Sequence, residues 1–189
     1  MSSIVGFIDD GKVYMGADSA AVDTGSFTIR DVIDQKIFYN GELLMGVAGD
    51  VRVSQIMKYC FTPPPHDCSL SDIQYVCSVL IRAIMECLVE NNYKIDGNPE
   101  ITALGGQLMI GYKSKLYVIN SDFGITHDIN FDAIGCGSEH AIASIYTSLA
   151  LMKELETYIP VETIITIALK TSAEYSMGVR GPFEIYCTE

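Results

Sequence analysis

Apolar and polar positions alternate at short range through the first fifty residues, and this pattern predicts a series of short β-strands. Four strands are expected there, over residues 3–8, 12–17, 36–39 and 43–48. The turn sequences Asp9-Asp10-Gly11 and Asn40-Gly41 join them into two hairpins. Because chain starts are usually poorly ordered, a strand this close to residue 1 predicts a terminus held inside a sheet.

Further along, the apolar spacing changes to a helical period. Helices are predicted over 51–59 behind Asp50 as N-cap, from Ser69 or Ser71 to about 90, over 140–154 after Gly137-Ser138, and from Pro160 to about 175. Further strands are expected at 107–112, 116–120, 125–128, 131–135 and 183–187, whereas 29–36 is read as a polar stretch and 91–99 as a loop. This order predicts an α+β fold in one domain, residues 1–189, with two helix layers enclosing two stacked sheets.

Composition and charge narrow the possible functions. The chain has 189 residues, 49% hydrophobic and 19% charged, which argues against disorder. Its 24 acidic and 12 basic side chains give a net charge of −12, so nucleic acid is a poor partner. No apolar run is long enough to cross a bilayer and no signal peptide opens the chain, so we expect a cytoplasmic protein without a membrane partner.

Cysteine and histidine provide little sign of metal or redox chemistry. The six cysteines form no CxxC pair, and they are expected to be reduced thiols that are mostly buried as small hydrophobic residues. The three histidines are scattered without metal-ligand spacing. We therefore expect no metal and no cofactor.

The chain start itself offers a candidate nucleophile. Met1 precedes a small residue, the context in which methionine is usually removed, and removal would give Ser2 a free α-amine. An α-amine titrates near ~8, which suits a general base, so one residue would carry both the nucleophile and its base. The alternative is that Ser2-Ser3 is only a solvated chain start.

Several short segments follow one another in a distinctive order, namely Ser2-Ser3-Ile4-Val5-Gly6, Gly16-Ala17-Asp18-Ser19-Ala20, Gln35-Lys36-Ile37 and Gly46-Val47-Ala48-Gly49-Asp50. In this order and spacing they resemble the β-type subunits of the proteasome and the related bacterial HslV protease, which are N-terminal-nucleophile hydrolases. The resemblance covers nearly the whole chain and is sharpest over residues 2–50. It implies a four-layer αββα sandwich.

The resemblance also implies roles for individual residues. Ser2 matches the nucleophile, Asp18 and Lys36 match the charged pair that orients and activates it, and Gly49 matches the glycine whose N–H stabilises the oxyanion, an effect worth ~3 kcal/mol. Val22, Val47 and Val51 match the walls of the pocket for the residue before the cut, and neutral walls imply an apolar side chain there. Alternatively, Asp18 caps a turn, Lys36 lies on a solvated strand face, and Gly49 serves a tight turn, a role compatible with the catalytic one.

The second half departs from the family pattern. A Gly-Ser-Gly segment of the family appears here as Gly135-Cys136-Gly137, so a thiol replaces a hydroxyl that bonds the terminal amine. Ser176 is retained from the family's Asp-x-x-Ser, but Ala173 stands at the aspartate position. Ser3, Cys136 and Gly137 are expected to support the site, and Ser176 to belong to it.

The sequence therefore predicts a threonine-type endopeptidase subunit with Ser2 as nucleophile, acting on peptides or unfolded polypeptides. The resemblance implies a ring-shaped homo-oligomer, with an ATP-dependent unfoldase as a possible partner. Two alternatives stay open at this point. One is a non-catalytic, proteasome-like scaffold subunit, and the other is an N-terminal-nucleophile hydrolase of small amides.

Overall fold

Two β-sheets stack face to face, and helices cover the outer face of each. This architecture is seen in a computed structural model that describes residues 1–23, 25, 26, 28–31, 34–93, 103–127 and 129–189. Three groups of buried side chains fill the spaces between the four layers, one between the sheets and one beneath each pair of helices. The predicted α+β, four-layer αββα sandwich is confirmed.

The first sheet contains the start of the chain. Its four antiparallel strands lie in the order β10-β1-β2-β11, with β1 at Ile4–Asp9, β2 at Lys12–Ala17, β10 at Phe131–Ile134 and β11 at Glu184–Cys187. β1 and β2 form the predicted hairpin, with Ile4 opposite Ala17 and Asp9 opposite Lys12. Successive residues of β1 point into different layers, Ile4 between the sheets and Val5 beneath the helices. Both faces are buried, which is why the strand reads as a nearly continuous apolar run.

The second sheet has five antiparallel strands in chain order, β5 at Ile37–Asn40, β6 at Leu43–Gly49, β7 at Gly106–Tyr112, β8 at Lys115–Ile119 and β9 at Ile125–Thr126. β9 is shorter than predicted, and its predicted end at Asp128 lies outside the described residues. Most of the predicted loop at 91–99 lies outside them as well.

A separate two-stranded hairpin joins β2 to β5, formed by β3 (Ala20–Asp23) and β4 (Thr28–Asp31). The sequence reading of 29–36 as a polar stretch without a strand was therefore wrong at its beginning. The described side chains of β4 are exposed, so the strand carries no alternating apolar face for the pattern to detect.

The helices follow the predicted order. α1 is Val51–Tyr59; α2 (Asp72–Gln74), a π-helical stretch (Tyr75–Leu80) and α3 (Ile81–Glu90) follow one another directly; α4 is Ser138–Glu154 and α5 is Val161–Tyr175. Asp50 caps α1 as predicted, its side chain accepting from the N–H of Arg52. Of the two candidate caps for α2, Ser71 is the one used, in a capping box with Gln74.

Three glycines let the two sheets approach closely. A Cβ on Gly6 would lie 2.7 Å from Leu116 and Met109 of the facing sheet, and one on Gly46 would lie 2.7 Å from Met15. A Cβ on Gly111 would similarly meet Val13 at 2.8 Å. Since real Cβ atoms do not sit this close to neighbours, each glycine receives a large side chain from the opposite sheet.

The prediction that most cysteines are buried was wrong. Cys87 is buried and Cys187 partly buried, but four are exposed, namely Cys60, Cys68, Cys77 and Cys136. These four lie at a helix end, in a turn, on the outward face of the π-helical stretch and in the loop before α4, all of which face outward. No helix in the described part of the chain is long and apolar enough to cross a membrane.

Candidate active site

The residues just before β1 are buried at one end of the strands of the first sheet. β1 is an interior strand, and the two serines before it are buried, with Ser2 5% exposed and Ser3 0% exposed. The backbone N–H of Asp18 donates to the Ser3 carbonyl at 3.2 Å, which continues the β1–β2 ladder past the ends of both strands. The prediction of a terminus held inside a sheet is confirmed.

The Asp18 carboxylate accepts hydrogen bonds from three different residues in this region. Its Oδ1 accepts from the Ser3 backbone N–H at 2.9 Å and from Lys36 Nζ at 2.7 Å, and its Oδ2 accepts from the Ala20 N–H at 3.0 Å. The Asp18 side chain is fully buried, and that of Lys36 is 10% exposed. The structure therefore rules out a solvated Lys36, and it ties Asp18 directly to the segment that carries both serines.

Lys36 reaches this site from the other sheet, from the residue just before β5. Burial lowers the pKa of the Lys36 ammonium, while the charge of Asp18 and the hydrogen bond to it act in the opposite direction. Cys136 has a smaller effect that, like that of Asp18, raises the pKa of Lys36. The thiol therefore lies in the electrostatic environment of the ammonium.

Ser2 makes its contacts with the segment before α4 and with Met1. Its Oγ donates to the Met1 carbonyl at 2.7 Å. Its own carbonyl accepts from the Gly137 N–H at 3.2 Å and from the Cys136 thiol at 3.5 Å. Met1 packs against Gly178, where a Cβ would collide with the methionine side chain. The predicted supporting residues Cys136 and Gly137 thus contact Ser2 through its carbonyl.

A serine of α5 that the sequence analysis did not identify supports this segment. Ser172 is fully buried; its Oγ accepts from Ser3 Oγ at 3.1 Å and donates to the Gly137 carbonyl at 2.8 Å. Ser176 lies at the C-cap of α5, with its Oγ 3.5 Å from the Cys136 carbonyl and with no described hydrogen bond to Ser2. Ser172 precedes Ser176 by four residues, a spacing that places both on one helix face and could have revealed it.

A pocket of about 90 Å³ opens beside Ser2. The three valines predicted to line it, Val22, Val47 and Val51, all do so, as do Met1, Lys36 and Gly49. The pocket also has a polar side that the sequence did not indicate. There the Asp34 Oδ1 accepts from Tyr59 at 2.8 Å and lies 3.9 Å from Lys58 Nζ.

Gly49 ends β6 at the edge of this pocket with a φ of 138°. A Cβ at this position would collide with the Gly105 carbonyl, so the conformation and the close approach both require glycine. The turn interpretation of Gly49 is thereby supported, and the pocket interpretation remains compatible with it.

Comparison with solved structures places this arrangement in a known fold. Over 99% of this chain and 98% of the other, the protein superposes on Thiobacillus denitrificans BPH in complex with epoxomicin with a TM-score of 0.80 at 17% sequence identity. A second structure of the same BPH gives 0.80 at 16% identity. Eukaryotic HslV from Trypanosoma brucei gives 0.67 at 14% identity over 98% of each chain.

The chain therefore has the proteasome β/HslV-like fold, as its sequence predicted. No protein-family model matches the sequence, and no curated protein matches it either. At these identities the likeness establishes the fold, while the chemistry depends on the residues of the site itself.

Proposed function

We propose that this protein is an N-terminal-nucleophile endopeptidase whose nucleophile is Ser2, exposed by removal of Met1. The observation that carries the proposal is the position of Ser2, which lies at the edge of a pocket that it shares with Lys36, beside the buried Lys36–Asp18 pair. A serine hydroxyl needs an adjacent base, and an α-amine on the same residue supplies one without a separate histidine.

In the proposed reaction, the Ser2 α-amine accepts the proton of Oγ as Oγ attacks the substrate carbonyl carbon. The C=O π bond opens, and the negative charge that develops on oxygen is stabilised by the backbone N–H of Gly49. The intermediate collapses as the ammonium of Ser2 returns its proton to the leaving amine, which breaks the C–N bond and leaves an ester on Ser2. Water, deprotonated by the same amine, then attacks the ester carbonyl carbon. The C–O bond to Ser2 breaks as the ammonium returns its proton to Oγ, which releases the carboxylic acid and restores the free serine.

Lys36 and Asp18 set the electrostatics of this step. A buried ammonium near Ser2 favours the neutral form of the amine, which is the form that acts as a base. Asp18 holds the ammonium and the Ser3 N–H on one oxygen, so nucleophile and cation share one rigid support. The other side of Ser2 is formed by Cys136 and Gly137, and Ser176 contacts the carbonyl of Cys136.

The proposed substrate is a peptide or an unfolded polypeptide with an apolar side chain before the scissile bond, because Val22, Val47 and Val51 form the neutral walls of the pocket. The fold and the family resemblance support assembly into a ring-shaped homo-oligomer that limits access to the sites, with an ATP-dependent unfoldase as partner. Thiobacillus denitrificans BPH, a protein of this fold, forms a complex with epoxomicin.

Intact mass and active-site labelling test the proposal. We expect a species lighter by one methionine that an epoxyketone modifies at Ser2 and that turns over an unstructured protein. Ser2→Ala should abolish both labelling and turnover, while the exposed turn variant Ser121→Ala should keep both. A homogeneous, Met1-free protein that is neither labelled nor active would refute the proposal.

The scaffold alternative has one observation in its favour. In the chain with Met1 present, the Ser2 hydroxyl is engaged by the Met1 carbonyl, and Met1 is seated against Gly178 at the pocket. Retained Met1, unlabelled Ser2 and an intact ring in the same preparation would favour this non-catalytic role. Activity confined to small acyl-amides, with none on unfolded proteins, would favour the small-amide hydrolase.

A further inference from the structure

A tyrosine outside the pocket contacts the segment that carries the proposed oxyanion donor. Tyr93 follows the end of α3, its N–H donates to the Leu88 carbonyl at 2.9 Å, and its ring packs against the helix-side core of the second sheet. Its hydroxyl donates to Asp50 Oδ2 at 3.1 Å. Asp50 directly follows Gly49, so this contact is one residue away from the donor.

The same hydroxyl also meets the neighbouring strand. Tyr93 lies against Gly105, where a Cβ would collide with the tyrosine hydroxyl, and the Asp50 N–H donates to the Gly105 carbonyl at 2.8 Å. Hydrogen bonds therefore connect Tyr93 to Asp50 and Asp50 to Gly105, and we call this arrangement the Tyr93 clamp. Burial, together with the charge of Asp50 and the hydrogen bond to it, raises the pKa of Tyr93 to about 12, so the hydroxyl stays protonated as a donor at neutral pH.

The clamp acts on a segment at the surface, where β6 ends and α1 begins. Gly49 and Asp50 are both exposed, and Gly49 has no side chain to anchor it. The second oxygen of Asp50 is already used by the Arg52 N–H at the start of α1. With both carboxylate oxygens engaged, the charge of Asp50 is directed to the helix start and to Tyr93. A carboxylate free to turn toward the pocket would repel the negative charge that develops there.

We propose that Tyr93 is a positioning residue that fixes the direction of the Gly49 N–H through the Tyr93 clamp. The inference rests on the proposed function, because it assigns a purpose to the Gly49 N–H. An N–H donor helps only when it already points at the place where charge develops, and a small misplacement is enough to reduce the rate. Tyr93 does not line the pocket and reaches it only through Asp50, so its loss should change the rate more than substrate binding.

The test compares Tyr93→Phe with Tyr112→Phe. Tyr112 serves as the control, since its ring packs in the same core as the partly buried Tyr93 ring and its hydroxyl is also hydrogen-bonded, to His66 at 2.9 Å, but it lies at the far end of β7. We expect Tyr93→Phe to lower kcat about tenfold to a hundredfold with KM within about twofold of wild type. Tyr112→Phe should keep kcat. A kcat for Tyr93→Phe within twofold of that of Tyr112→Phe would overturn the catalytic part of the inference.

Amide hydrogen exchange separates this inference from the proposed function, because it needs no turnover. Tyr93→Phe should speed exchange of the Asp50 amide about tenfold or more, and Tyr112→Phe should not. If wild type is inactive but this local acceleration is seen, the proposed function fails while the clamp stands. If exchange at Asp50 is unchanged in Tyr93→Phe, the clamp is wrong whatever the activity.

Discussion

Lys36→Met is the substitution that tests the site most directly, because it keeps the length and most of the packing of the side chain and removes only its charge. In the wild type, Lys36 Nζ lies 2.7 Å from an Asp18 carboxylate that is fully buried. The variant leaves that carboxylate without a cation, although the N–H groups of Ser3 and Ala20 still donate to it. We expect a large loss of stability together with the loss of turnover.

The magnitude follows from the geometry. Two unit charges 2.7 Å apart attract by about 6 kcal/mol at an effective dielectric constant of about 20. Part of this offsets the desolvation of the pair, and breaking a buried pair by removing one partner usually costs about 3–5 kcal/mol. Because two N–H groups still donate to the Asp18 carboxylate, we expect the loss of stability to be about 3 kcal/mol, the lower end of this range. For a chain of this length, that corresponds to a melting temperature lower by about 6–12 °C.

Urea denaturation and thermal melting of Lys36→Met measure this loss, with Lys153→Met at the exposed end of α4 as the control. Adding Asp18→Asn to Lys36→Met should recover part of the stability and none of the turnover. A Lys36→Met variant within 1 kcal/mol of wild type at neutral pH would show that the ion pair does not have the role assigned to it.

Three further predictions concern the same region. Burial lowers the pKa of Lys36 below its usual 10.5, so as the pH is raised turnover should start to decline before pH 10.5 is reached, because the ammonium loses its proton. Lys36→Arg should remove this alkaline loss of activity. A loss that persists in the arginine variant would belong to another group. Ser172→Ala should lower the free energy of unfolding by about 1–3 kcal/mol because the Ser3 hydroxyl and the Gly137 carbonyl lose their shared partner. The control Thr163→Ala, at an exposed position of the same helix, should change it by less than about 0.5 kcal/mol. Gly49→Ala should abolish turnover and lower the free energy of unfolding, measured by denaturation, by at least about 1 kcal/mol. The reason is that the φ of 138° at Gly49 and its contact with the start of β7 exclude a Cβ. Normal activity would contradict the oxyanion assignment.

Much of the fold could be predicted because its strands and helices carry strong local patterns. Turn sequences set the β1–β2 and β5–β6 hairpins, and side-chain caps set the starts of α1 and α2. The β3–β4 hairpin escaped prediction because its two strands pair only with each other and the described side chains of β4 are exposed, so β4 shows no apolar alternation.

The candidate site shows a similar division. Ser2, Asp18 and Lys36 could be identified because they lie in short segments of recognisable order. Ser172 and Tyr93 were not identified, since each acts through a contact between residues distant in the chain, 169 positions apart for Ser3 and Ser172 and 43 for Asp50 and Tyr93. The four-residue spacing to Ser176 was the one local sign of Ser172, and nothing in the local sequence of Tyr93 marks its partner.

The glycines between the two sheets have a consequence for the distances within the site. Asp18 follows a strand of one sheet, Lys36 and Gly49 belong to the other, and the Lys36–Asp18 contact bridges them. The side chains that enter at Gly6, Gly46 and Gly111 set the distance between the two sheets, and this distance therefore also determines the separations within the candidate site. A single added methyl group at any of these glycines would wedge the layers apart, so distant core positions can alter the chemistry without touching a reacting atom.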